Sequence, residues 1–243
     1  MRIIEGRNPV IEALKNDAQI DRILISKEIA EGSLSQMLTL AKEKKILVKY
    51  VDKAALAKIS ENGRHQGVIA EAIEYQYKEI DDIFNNARER GEKPFVIILD
   101  EITDVHNLGA IIRTAECLGA HGVIIPSRRA AGVNGVVEKT SAGAVEYLPV
   151  VRVTNISQTL GILKAKGLWI YGADMDGEKY VYEEKFDVPV GLVIGSEGSG
   201  IGRLIKENCD TLIKIPMKGK INSLNASCAA SIIIYEVMKQ RGI

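Results

Sequence analysis

Aromatic side chains make up only 5% of the 243 residues, and the chain holds one tryptophan, three cysteines and three histidines. Cys117, Cys209 and Cys228 are odd in number and lack C-x-x-C spacing, so no disulfide framework is indicated. His65, His106 and His121 lie far apart and share no ligand spacing, which argues against a zinc site and gives no reason to expect a metal. No apolar run reaches membrane length, since the longest, such as Phe95 to Leu99, are strand-sized. The first twenty residues mix charges of both signs and lack the apolar core of a signal peptide, so the expectation is a cytoplasmic protein with no membrane contact. An excess of either charge is missing too. Lys plus Arg total 32 and Asp plus Glu total 32, with 16 of each on either side of Pro94. No overall field draws this chain to polyanions, so any nucleic-acid contact must come from local patches.

What is present is an ordinary globular composition, 46% hydrophobic and 26% charged, on a chain long enough for a small domain plus a medium one. Residues 1–75 read as a small α/β domain. Asn8 is placed to cap a first helix with Pro9 in its first turn. RILIS at 22–26, ILVKYV at 46–51 and GVIAEAIEY at 67–75 read as strands, with helices over Leu34 to Lys45 and Lys53 to Ile59 between them. Residues 76–93 turn polar and charge-mixed, and read as a linker carrying one short amphipathic helix. From Pro94 to Ile243, short apolar runs (FVIILD, GVIIP, YLPVVRV, LWIYGAD, VGLVIG, TLIKIPM) alternate with helical stretches at 108–119, about 155–166, 200–208 and 224–240. Such alternation predicts an α/β domain with a mostly parallel sheet covered on both faces, whose ligands lie beyond the carboxyl ends of the strands.

Three loops of this second domain carry residue types suited to chemistry. In DEITDVHNLGAIIRTAECLGA a strand ends at Asp100 and a helix opens near Asn107, which as a plain residue of that place is an N-cap. Leu108, Ile111, Ile112, Ala115 and Leu118 form the buried stripe of that helix, whereas Arg113 points away from it. Gly109 and Ala110, one turn earlier, leave room for a phosphate or ribose beside the guanidinium; the alternative is a surface pair between Arg113 and Glu116. In GLVIGSEGSGIG a buried strand runs into Gly195, and Glu197 stands among glycines with no packing reason to be there. That loop is neither G-x-G-x-x-G nor a phosphate-binding P-loop, and its glycines let backbone approach a flat ligand. In IKIPMKGKINSLNASCAAS a strand ends at Met217, the loop holds Lys218, Lys220, Asn222, Ser223 and Asn225, and a small-residue helix follows, capped by Ser223 or Asn225. Asp174 and Asp176 resemble the opening of a calcium loop, but Lys185 occupies the position that requires glutamate. The cluster Lys42, Lys44, Lys45 and Lys49 reads as a solvated face on which RNA contact stays open.

Together, NLGAIIRTAECLGAHGVII, GLVIGSEGSGI and IPMKGKINSLNASCAASIIIYE resemble, in order and spacing, the three motifs of the SpoU (TrmH) branch of the SPOUT RNA 2′-O-ribose methyltransferases. At the front, IEGRNPVIEAL and GRHQGVIA are similar to the substrate-binding domain of the guanosine methyltransferases that act on 23S ribosomal RNA. The resemblance implies a catalytic domain with a trefoil knot, a rare departure from unknotted topology, and a front domain similar to ribosomal protein L30e. It also implies a homodimer with its site near the subunit interface, S-adenosylmethionine as cofactor, and an RNA substrate: 23S rRNA first, tRNA as the alternative. Matching positions are Asn107, Arg113, Glu197, Ser223 and Asn225 for catalysis, and Gly195, Ile215 and Leu224 for holding the cofactor. Two other classes stay open. A nucleotide-dependent oxidoreductase would use the sheet for NAD, against which the missing G-x-G-x-x-G counts, and a non-catalytic ribosome-assembly module would keep only the RNA contacts.

Overall fold

The computed structural model describes residues 2–16, 18–29, 34–73, 75–220 and 223–242. Contacts divide the chain into two compact units, Met1–Gln76 and Tyr77–Ile243.

The front unit runs β1 (Arg2–Glu5), α1 (Arg7–Lys15), β2 (Ile20–Ser26), α2 (Ser35–Glu43), β3 (Leu47–Val51), α3 (Lys53–Ile59) and β4 (Val68–Ala72). Its sheet has the order β1-β4-β2-β3, with β4 antiparallel to both neighbours and β2 parallel to β3. Strand alternation sends Ile23, Ile25, Val68 and Ala70 to one face, where Val10 and Leu14 of α1 and Met37 and Ala41 of α2 pack on them. Leu24 and Ile69 point to the other face, against Leu56 of α3. Asn8 does not cap α1. Gly6 continues the pairing of β1, its N–H donating to the Val68 carbonyl at 3.0 Å, and then turns the chain at φ +97°, so the helix starts one residue before Asn8. Only glycine turns there without steric cost.

The second unit contains α4 (Ile80–Glu89), β5 (Phe95–Leu99), α5 (Val105–Cys117), β6 (Gly122–Pro126), α6 (Gly135–Thr140), β7 (Val150–Val153), α7 (Ile156–Ala165), β8 (Trp169–Ala173), β9 (Lys179–Tyr180), β10 (Val190–Ile194), α8 (Arg203–Glu207), β11 (Thr211–Lys214) and α9 (Ala226–Arg241). Seven strands form one sheet in the order β7-β6-β5-β10-β8-β11-β9, and every pairing in it is parallel. Strands β5 and β10 are buried along their whole length, which is why they read as continuous apolar runs. Val96, Ile98, Val193 and Ile170 pack against Ile83 of α4 and Ile156, Leu160 and Leu163 of α7. The polar segment read as a linker therefore contributes, through α4, to the core of this unit. Residues Phe95, Ile97 and Leu99 alternate to the opposite face, where α5 packs against α6 and α9. Helix α6 and the two-residue edge strand β9 had no counterpart in the sequence reading. No helix among the described residues is long and apolar enough to cross a membrane.

Candidate functional site

Helix α5 opens three residues earlier than its apolar stripe suggests. Asp104 is its N-cap, accepting from the His106 N–H at 2.9 Å, and this corrects the reading of Asn107 as the cap. Relieved of capping, the largely buried Asn107 turns its amide away from the helix and donates from Nδ2 to Glu197 Oε1 at 2.8 Å. Helix α9 is capped by Asn225, whose Oδ1 accepts from the N–H groups of Ser227 at 3.0 Å and Cys228 at 3.3 Å. The same amide uses Nδ2 as a donor to Asn107 Oδ1 at 3.0 Å and to Glu197 Oε1. The backbone N–H of Ala226 reaches Glu197 Oε1 at 3.4 Å. One carboxylate thus gathers donors from α5 and the start of α9, and all three loops meet at Glu197. The need to satisfy these amide donors is the reason for an acid among glycines.

The loop after β10 is folded back on itself. Ser196 and Gly200 exchange backbone hydrogen bonds at 3.1 and 3.0 Å, and the hydroxyls of Ser196 and Ser199 lie 2.8 Å apart. A Cβ on Gly195 would sit 2.1 Å from the Gly200 carbonyl carbon, so this position admits only glycine. Asp100, buried at the end of β5, accepts from the Gly202 N–H at 2.8 Å and fixes the far end of the loop. Burial raises the Asp100 carboxyl above its ordinary range, with the Gly202 hydrogen bond opposing that shift.

Two cavities flank Glu197. The larger, about 280 Å³, opens beyond the carboxyl ends of β8, β10 and β11, and Gly195, Glu197, Ile215, Ser223 and Leu224 all line it. Asp174 lines it too, paired with Lys206 at 2.6 Å. The smaller, about 220 Å³, is lined by Asp104, Asn107 and the same Ser196-Glu197-Gly198 stretch. The first is lined by aliphatic side chains, by the tightly folded main chain of residues 195–200, and by the carboxylates of Asp174, Asp176 and Glu197 with Lys206 and Lys214 among them. That donor set fits a flat apolar ring whose edge is read by backbone groups, joined to a positively charged centre.

Of the residues singled out in the sequence, the structure brings together Asn107, Glu197, Asn225, Ser223, Gly195, Ile215 and Leu224. Asn222 lies outside the described residues. Arg113 stands apart: it is exposed, lines neither cavity, and forms no hydrogen bond or ion pair with any described residue, Glu116 included. The open space expected beside it at Gly109 is filled by α6, because a Cβ there would lie 2.7 Å from Thr140 Cβ and 3.1 Å from the Val137 carbonyl oxygen. Gly109 serves helix packing, not ligand approach. Sequence reasoning missed Asp100, Asp104 and the role of Asp174. A usable signal existed for two of them, an acid at the carboxyl end of a buried strand, since Asp100 follows β5 and Asp174 follows β8. No group of three or more metal-ligating side chains occurs among the described residues.

Comparison with known proteins identifies the family of both units. A profile described as the SpoU rRNA Methylase family matches residues 94–235, and one described as RNA 2′-O ribose methyltransferase substrate binding matches residues 3–78. YacO of Bacillus subtilis, named for the TrmH family of tRNA/rRNA methyltransferases, is 46% identical over 97% of this chain and 94% of its own length. Among solved structures, the SpoU methyltransferase AviRb from Streptomyces viridochromogenes, in complex with AdoMet, superposes with a TM-score of 0.64 at 26% identity, covering 98% of this chain and 90% of that one. The TrmH/SpoU tRNA modifying enzyme of A. aeolicus gives 0.57 at 31% identity over 62% of this chain and 76% of its own. With that family model matched over residues 94–235, and Asn107 and Asn225 converging on the Glu197 carboxylate, the chain belongs to the SpoU rRNA methylase family.

Proposed function

We propose that this chain is an S-adenosylmethionine-dependent RNA 2′-O-ribose methyltransferase acting on a guanosine of 23S rRNA. The observation that carries the reading is the convergence of Asn107 and Asn225 on Glu197, which lines the larger cavity together with Gly195, Ile215 and Leu224. When bound, S-adenosylmethionine supplies a methyl group already activated on a positively charged sulfur. Gly195, Ile215 and Leu224 hold it largely through backbone and aliphatic contact. A ribose hydroxyl is a weak nucleophile at neutral pH, so the chain's own contribution is alignment and charge stabilisation. Asn107, Glu197, Ser223 and Asn225 orient the ribose. Arg113, whose guanidinium offers five N–H donors and no acceptor, clamps the target phosphate and stabilises negative charge developing on the ribose oxygen. With no partner among the described residues, its whole donor fork is available for that phosphate.

Because Arg113 does not line the cavity of its own chain, the proposal includes a homodimer in which a second copy brings its arginine to the site. The trefoil threading implied by the resemblance is part of the same reading. The likeness of IEGRNPVIEAL and GRHQGVIA to the substrate-binding domain of the 23S rRNA guanosine methyltransferases is what favours rRNA, and the family model matched over residues 3–78 supports an RNA 2′-O-ribose substrate. A tRNA target is the alternative, named in the relatives above. A ribosome-assembly module without chemistry is the reading from another class.

Calorimetry with S-adenosylmethionine and with NAD separates the classes: the methyltransferase binds the first alone, and a bare RNA-binding module binds neither. Arg113→Ala is expected to lower methyl transfer by about 10²-fold or more while leaving cofactor affinity within about twofold. Near wild-type transfer by this variant overturns the assignment. Mapping ribose methylation on rRNA and tRNA from cells lacking the protein decides the substrate.

A further inference from the structure

Two segments from opposite ends of the front unit, Gly6-Arg7-Asn8 and Arg64-His65-Gln66, come together at the amino end of α1. A Cβ placed on Gly6 would lie 3.6 Å from the Arg64 carbonyl oxygen and 3.7 Å from Gln66 Oε1. Glu5 straps the second segment in place: its carboxylate accepts from Ser60 Oγ at 2.7 Å and from the N–H groups of Glu61 at 2.6 Å and Asn62 at 2.9 Å. Those bonds, the Ser60 hydroxyl foremost, hold the Glu5 carboxyl below its ordinary range. The acid closest to this corner in sequence is thereby occupied with the turn.

The charged groups of the two segments are donors that no acid of the unit pairs with among the described residues. Arg7 is only partly exposed, and its Nε is buried with no hydrogen-bond partner. No described residue pairs with its guanidinium, and none with the exposed guanidinium of Arg64. His65 Nδ1 accepts from the Gly67 N–H at 2.9 Å, so the neutral ring carries its proton on Nε2 as a further donor. Helix α1 has no side-chain cap and no acid in its first turn. A buried guanidinium N–H left without an acceptor is costly, and it marks Arg7 as a side chain whose hydrogen bonding the described residues of its unit leave incomplete. Asn8 and Gln66 bring neutral amides to the same segments, but the charged groups are two planar donor forks, the complement of an oxyanion with more than one oxygen.

We propose that this corner of the front unit binds a phosphodiester of the substrate RNA, with Arg7 and Arg64 as charged donors and His65 Nε2 as a neutral one. The proposal rests on the RNA reading above and adds where the front unit grips. The competing basic surface, Lys45 and Lys49, borders the sheet-edge strand β3, where lysines guard against edge-to-edge pairing.

The test measures affinity of the full-length protein for unmodified in vitro transcribed 23S rRNA between about 50 and 200 mM potassium chloride. Arg64→Gln and Arg7→Gln are each expected to weaken binding about threefold to tenfold and to flatten the salt slope by about one phosphate contact. Lys45→Gln/Lys49→Gln leaves both quantities unchanged, and S-adenosylmethionine affinity stays at the wild-type value in every variant. If Arg7→Gln fails to fold, the exposed Arg64 decides alone. Wild-type affinity and slope in Arg64→Gln, or a loss carried by the lysine pair instead, overturns the site while leaving the methyltransferase reading intact. Wild-type protein that binds S-adenosylmethionine but no RNA overturns the site together with the substrate reading.

Discussion

Glu197 does its work through one oxygen, because Oε1 accepts from both Asn107 and Asn225. The carbonyl of a glutamine can keep that position, whereas alanine leaves two amide donors and the Ala226 N–H facing each other unpaired. Glu197→Ala is therefore expected to lower methyl transfer by about 10²-fold, and Glu197→Gln to restore much of it. Equal losses in the two variants would show that the negative charge, not the hydrogen-bond geometry, is what the site needs. Asn225 shows why single-residue roles are hard to divide: its oxygen caps α9 and its nitrogen holds Glu197, so one side chain fixes a helix end and a site at once.

At the scale of elements, the site depends on helices approaching closely. Gly109 lets α5 lie against α6, and Thr114 Oγ1 and Ser231 Oγ at 3.1 Å tie α5 to α9. Gly109→Ala drives a methyl into Thr140 and the Val137 carbonyl, for an expected loss of about 1–3 kcal/mol of stability in denaturant titration. An unchanged midpoint would mean that the two helices separate without cost, against the packing described. The loop after β10 works the same way, since its backbone is the cavity wall and Gly195 is where that wall must fold flat. Asp100 holds it from the end of β5, which couples the loop to the centre of the sheet.

At the scale of the molecule, the proposed dimer has a direct test. Gly195→Ala places a Cβ 2.1 Å from backbone and is expected to abolish cofactor binding in its own chain, while Arg113→Ala leaves that cavity untouched. If arginine and cavity come from different copies, mixing the two inactive variants recovers activity through mixed dimers; a mixture that stays inactive places both functions in one chain. Stability has its own pH response. His121 is wholly buried; its Nδ1 accepts from the Phe95 N–H at 2.9 Å and its Nε2 lies 3.0 Å from Glu92 Oε2. Burial, the largest influence, lowers its folded pKa below the ordinary 6.5, with Glu92 opposing. Between the lowered and the ordinary value the unfolded chain binds more protons, so stability falls as pH drops from about 6.5 toward the folded value. Thermal midpoints at pH 7.5 and 5.5 check this, with His121→Gln expected to flatten the difference.

Local pattern alone determined the alternation of strands and helices in both units, the buried stripe of α5 with Arg113 outside it, and the oddity of Glu197, because periodicity and backbone preference are short-range properties that a sequence displays directly. Reading by pattern misplaced the caps of α1 and α5, since Gly6 and Asp104 win those places through sheet pairing and turn geometry set by neighbours. It also missed α6 and the part of α4 in the second core. Only the tertiary structure decided that Gly109 serves α6 and not a ligand, that Asn107 and Asn225 share one oxygen of Glu197, and that Gly6 meets the Arg64 turn. Each of these joins residues distant along the chain, and the distances between such residues are fixed by how the sheet and its helices pack.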